Sequence, residues 1–162
     1  MNKLRISSIV GFFLLFLWSC LALAAATVQA LSGEVQRAPA KGDYGSLAFG
    51  QRVESGATIK TGANGRVVLN FDDGQKISIS ESSLFVITDY KFNAHKPAES
   101  NFAVSLFKGG MRAVTGAIGE ANKSNVTIKT QVATVGIRGT DFQILPWWET
   151  NSRSQGSRSE RA

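Results

Sequence analysis

The sequence predicts an all-β protein, with short strands and hairpins in a solenoid-like or rolled sheet arrangement, preceded by a helical signal segment. Three observations predict it. Glycines are frequent and fall between stretches rich in Val, Ile, Thr and Phe, the composition of strands cut by turns. One Asp-Gly pair separates two segments in which apolar and polar side chains alternate, the pattern of a half-buried hairpin. From Thr27 to Leu145 no apolar spacing of helical period is sustained over about three turns. A chain of 162 residues has room for one such domain and a leader.

The leader comes first. Lys3 and Arg5 precede an apolar or small run from Ile9 to Ala26 that ends in Ala22-Leu23-Ala24-Ala25-Ala26. Positive charge holds such a segment's start in the cytoplasm, Phe and Leu partition into the bilayer, and small residues fit a signal peptidase. Residues 1–26 are therefore expected to be a signal peptide, and the protein to be exported to the periplasm. Cleavage after Ala24 and cleavage after Ala26 both satisfy the small-x-small rule. Two other readings compete. Uncut, the run is about long enough to anchor the chain in the inner membrane. Leu17-Trp18-Ser19-Cys20 also loosely resembles a lipobox, although Trp18 is bulky and the run stays apolar beyond Cys20.

Composition narrows the chemistry. Cys20 is the single cysteine, so a cleaved chain would hold no disulfide and no thiolate metal site. Loss of Lys3 and Arg5 with the leader lowers the net charge by two, from +6 to +4. The remaining basic residues are scattered among acidic ones, which argues against nucleic acid as a partner.

Strands are expected near Val28–Arg37, Ala57–Lys60, Arg66–Phe71, Lys76–Ser80, Leu84–Phe92, Phe102–Phe107, Met111–Val114, Val126–Lys129 and Ile137–Leu145. Between the third and fourth, Asp73-Gly74 predicts a tight turn. Val67, Leu69 and Phe71 share one face, and Ile77 and Ile79 answer them. Asp72 and Asp73 are a carboxylate pair, the raw material of cation binding or acid–base work, but their place in a turn favours turn chemistry. Thr58-Ile59-Lys60-Thr61 recurs as Thr127-Ile128-Lys129-Thr130, a hint of a repeated β unit.

No catalytic constellation emerges. His95 is the only histidine and lies in the polar segment Asn93–Asn101, with no second histidine to share a metal and no serine in a Gly-x-Ser-x-Gly elbow. Gly136-Ile137-Arg138-Gly139 could form an anion nest, yet no Gly-Lys-Ser/Thr follows and its surroundings read as strand, so a tight bend with a locally held Arg138 is the favoured reading. No cofactor and no enzymatic activity are expected.

One longer pattern is recognisable: Val126-Thr127-Ile128-Lys129-Thr130, then Val132-Ala133-Thr134-Val135-Gly136-Ile137-Arg138-Gly139-Thr140-Asp141-Phe142. It closely resembles the end of the FecR domain. Thr61-Gly62-Ala63-Asn64-Gly65-Arg66, the strand to Asp73-Gly74, Ser83-Leu84, Lys108-Gly109-Gly110-Met111-Arg112 and Thr115-Gly116-Ala117-Ile118-Gly119 resemble it as well, over about Val28 to Ile144. The resemblance implies an extracytoplasmic β-rich module of the Gram-negative envelope. Some members relay a signal to a cytoplasmic sigma factor; others are stand-alone exported proteins.

Few residues precede the apolar run, leaving no room for a sigma-binding helical region, so the stand-alone class matches better. Gln131 stands where the family often has proline. After Leu145 the chain turns to Pro146-Trp147-Trp148 and a polar tail, where the family usually continues with further strands.

The resulting expectations are a leader at 1–26, a β domain at 27–145 and a disordered tail at 146–162. The tail would leave the strand Ile137–Leu145 without its expected neighbour, an unpaired edge, as in a truncated domain. Gly74, Arg112, Gly136, Arg138, Gly139, Thr140 and Asp141 are expected to be framework residues, and loss of Arg138 is expected to be costly if its guanidinium is buried and paired. The expected role is non-enzymatic binding of an envelope protein, most economically by strand addition at an open sheet edge. The competing role is a membrane-anchored part of an envelope signalling system, with the membrane reached only through the uncut leader.

Overall fold

The computed structural model describes residues 25–136 and 141–145. Residues 1–24 of the expected helical leader, the segment Ile137-Arg138-Gly139-Thr140 and the tail from Pro146 lie outside the described residues.

The described chain is built of strands. Its first half runs through β1 (Ala25–Ser32), β2 (Val35–Ala38), β3 (Gly45–Ser46), β4 (Arg52–Glu54), β5 (Thr58–Thr61), β6 (Arg66–Phe71) and β7 (Lys76–Ile79). Next come β8 (Leu84–Lys91), β9 (Asn101–Lys108), β10 (Met111–Val114), a short helix α1 (Ala117–Ala121), β11 (Val126–Thr130), β12 (Thr134–Gly136) and β13 (Asp141–Ile144). Two sheets result, one ordered β13-β10-β7-β6-β1-β4 and the other β12-β11-β9-β8-β5-β2-β3. The chain changes sheet after every one or two strands, so the layers are woven together rather than stacked as successive halves.

Strand alternation explains the single core. Val67, Leu69 and Phe71 of β6 and Ile77 and Ile79 of β7 point inward from the first sheet; Ile59, Phe85, Ile87, Phe102, Val104 and Ile128 point inward from the second. Phe71 crosses between the layers, its ring set edge-on to Tyr90 at 5.1 Å and to Phe102 at 4.9 Å. The β6–β7 hairpin has the expected faces, with Val67 opposite Ile79 and Leu69 opposite Ile77. The repeated Thr-Ile-Lys-Thr stretches become β5 and β11 of the second sheet. They run in the same direction, and both Ile59 and Ile128 are wholly buried.

One strand expectation needs correction. Val28–Arg37 is not one strand: Gly33, with φ of +64°, turns the chain between β1 and β2, which lie in different sheets. β1 takes in Ala25 and Ala26, both fully buried, ahead of the expected boundary at Thr27. Of the expected strand Ile137–Leu145, the described part is β13, Asp141–Ile144, which ends its sheet. β13 pairs antiparallel with β10, while β12, which the sequence reading omitted, pairs with β11 in the other layer.

Candidate functional site

Among the described residues β13 ends its sheet, and the features around it are the best developed on the outer surface. Met111 lies opposite Ile144, Arg112 opposite Gln143, Ala113 opposite Phe142 and Val114 opposite Asp141. Alternation sends Phe142 and Ile144 toward the core, where both are partly buried, and leaves Gln143 and Asp141 outside. Arg112 alternates outward in the same way, between buried Met111 and Ala113.

The guanidinium of Arg112 donates to both carboxylate oxygens of Asp141, from Nε to Oδ1 at 3.1 Å and from Nη2 to Oδ2 at 2.5 Å. This fork pins the edge strand to its neighbour. It also holds the Asp141 carboxyl below its ordinary pKa and raises that of Arg112, in each case chiefly through the shared hydrogen bonds. The Arg112 side chain is 60% exposed, so the pairing sits on the sheet surface.

Beside this pair, a groove of about 670 Å³ opens on the outer face, lined among others by Arg66, Val68, Ser78, Glu81, Arg112 and Gln143. Arg66 and Glu81 form a second ion pair at 3.0 Å within it. The groove thus carries both signs of charge over a partly apolar floor.

At the far end of the same sheet, the β6–β7 turn makes a polar cluster. Phe71 N–H donates to Gln75 O at 2.8 Å and Gly74 N–H to Phe71 O at 2.9 Å, with Gly74 at φ +83°. Asp73 is buried; its Oδ1 accepts from Gln75 N–H at 3.1 Å, and its own N–H donates to the Tyr90 hydroxyl at 3.1 Å. Burial raises the Asp73 pKa, opposed by the backbone N–H groups of Gln75 and Ile118. Burial, then the nearby Asp73 charge, raises that of Tyr90. Asp73 Oδ2 and both amide atoms of the fully buried Gln75 make no regular hydrogen bond. The sequence marked the Asp73-Gly74 turn but carried no signal for the burial of Asp73 and Gln75 or for the contact with Tyr90.

The structure brings two predicted residues together, Arg112 and Asp141, and separates others. Gly74 is in the turn, and Gly136 ends β12 in the opposite sheet, where it lines a smaller groove with Lys123 and Thr127. Arg138, Gly139, Thr140 and Ala24 are outside the described residues, and Ala26 is a core residue of β1. His95 is exposed in its loop, its N–H bound to Asn93 Oδ1. Among the described residues no three His, Cys, Asp or Glu side chains gather as metal ligands, and no helix is long and apolar enough to cross a membrane.

Comparison with known proteins follows the same lines. No curated protein matches the chain. A solved structure titled "Cell surface anchoring domain" is similar over 38% of this chain and 80% of its own, at 30% identity and a TM-score of 0.36. The family described as "FecR protein" matches residues 57–159, later at both ends than the span of the sequence motifs. That match covers more than half of the chain and includes both the β6–β7 hairpin and the β10–β13 pair, so the protein belongs to the FecR family.

Proposed function

We propose that this chain is a non-enzymatic binding module, exported to the periplasm, that recognises an envelope protein by adding a strand of that partner to β13. The observation that carries this reading is the position of β13 at the end of an open sheet, locked in register by the Arg112–Asp141 fork and flanked by a charged groove. A preset edge can template a further strand through backbone hydrogen bonds, while groove side chains select its sequence. The alternation of the chain between layers supports a rolled course of the domain. FecR membership supports a place in the envelope.

The test is photo-crosslinking in cells from position 143, with position 46 on β3 as control, after cell fractionation. The expected result is a periplasmic protein giving a discrete adduct from 143 alone. A cytoplasmic location would end the export reading; adducts from 46 and none from 143 would move the binding surface to the other sheet.

A further inference from the structure

The sequence leaves the cleavage site open between Ala24 and Ala26, and the fold discriminates between them. Ala25 lies opposite Glu54, and Ala26 lies between Val53 and Phe71 in the sheet. Both alanines are fully buried, and Ala26 belongs to the core. Ala25 is also clamped at both of its backbone groups by one residue of the β6–β7 turn. Its nitrogen donates to Asp72 Oδ2 at 2.8 Å, and its carbonyl oxygen accepts from Asp72 N–H at 3.2 Å. The same carboxylate oxygen takes Arg52 Nη2 at 3.2 Å.

We propose that export cuts the Ala24–Ala25 bond and that the ammonium so released is a built part of the fold, held by Asp72. This rests on the export half of the function proposed above. In the cut, water is the co-reactant: the C–N bond breaks, the hydroxyl joins the Ala24 carbonyl carbon as a carboxylate, and the protons leave the Ala25 nitrogen as an ammonium. A 2.8 Å amide–carboxylate contact then becomes a charge-assisted one without any movement of the strand. Cleavage after Ala26 would instead remove two buried residues, two ladder positions and the Asp72 clamp. Asp72, which the sequence offers as a mere turn residue, thereby couples the chain's new start to the hairpin.

N-terminal sequencing of the protein from the periplasmic fraction tests this, and Ala25 is the expected first residue. Thr27 would overturn the proposal while leaving export intact, whereas Met1 retained in the cytoplasm would end the export reading and this one with it. Ala22→Phe supplies a second arm, because Ala22 is the upstream small residue only for the cut after Ala24. Precursor should accumulate, or a product starting at Thr27 should melt roughly 5 °C or more below the wild type. Unchanged processing, or a Thr27 product as stable as the wild type, would overturn the proposal. In the exported wild-type background, Asp72→Asn should lower the melting temperature more than Arg52→Gln does. Equal effects would show that the ammonium contributes nothing.

Discussion

Two glycines with similar backbone conformations have very different surroundings. Gly74 has φ of +83° and open space where a Cβ would stand; Gly33 has φ of +64°, and a Cβ there would lie 2.2 Å from Asn64 O. Gly74→Ala should therefore cost only the left-handed strain, about 1–2 kcal/mol. Gly33→Ala adds a backbone clash worth about 1–3 kcal/mol more, and urea unfolding of the two variants checks the order. Asp73 makes a pH prediction. Burial lifts its folded pKa above the ordinary 3.8, so its contribution is fully present below that value and is lost as pH rises through the folded pKa. Asp73→Asn keeps the acceptor for Gln75 N–H and removes the ionisation. Its melting temperature should gain on the wild type as pH is raised from about 3 to about 7; parallel curves would show that Asp73 is solvated. Nothing in the sequence distinguishes Asp73 from Asp72, since burial is decided by Tyr90 and α1, which pack on the turn from elsewhere in the chain.

At the scale of elements, legibility follows how local the determining interaction is. The β6–β7 hairpin is readable because its alternation and its turn glycine lie within one short segment, and both were found where expected. β9 and β11 are also recognisable as strands, but their parallel pairing is a long-range fact that no local pattern encodes. The splitting of Val28–Arg37 at Gly33 was not readable for the same reason, since it marks a change of sheet, nor was the placing of β12 and β13 in different sheets. For the candidate site, the sequence singled out Arg112 and Asp141 individually but not their pairing, which depends on β10 and β13 being neighbours. The outward turn of Arg112 is legible from the alternation of Met111, Arg112 and Ala113 along β10.

The whole molecule is held by one core shared between two open sheets, and Phe71 is its cross-layer contact with both Tyr90 and Phe102. Phe71→Ala should cost about 3–5 kcal/mol. It should lower the stability of both sheets together, read as a loss of amide protection in β6 and β9 alike; loss in one sheet alone would mean that the layers are independent. Openness is the property that connects this architecture to binding, because a closed barrel would offer no strand edge. Hydrogen exchange of the protein free and bound to the partner captured from position 143 tests that connection most directly. Binding by strand addition predicts slowed exchange of the amides of residues 141–144, with those of 45–46 and 52–54 unchanged. Unchanged exchange at 141–144 with protection elsewhere would contradict it.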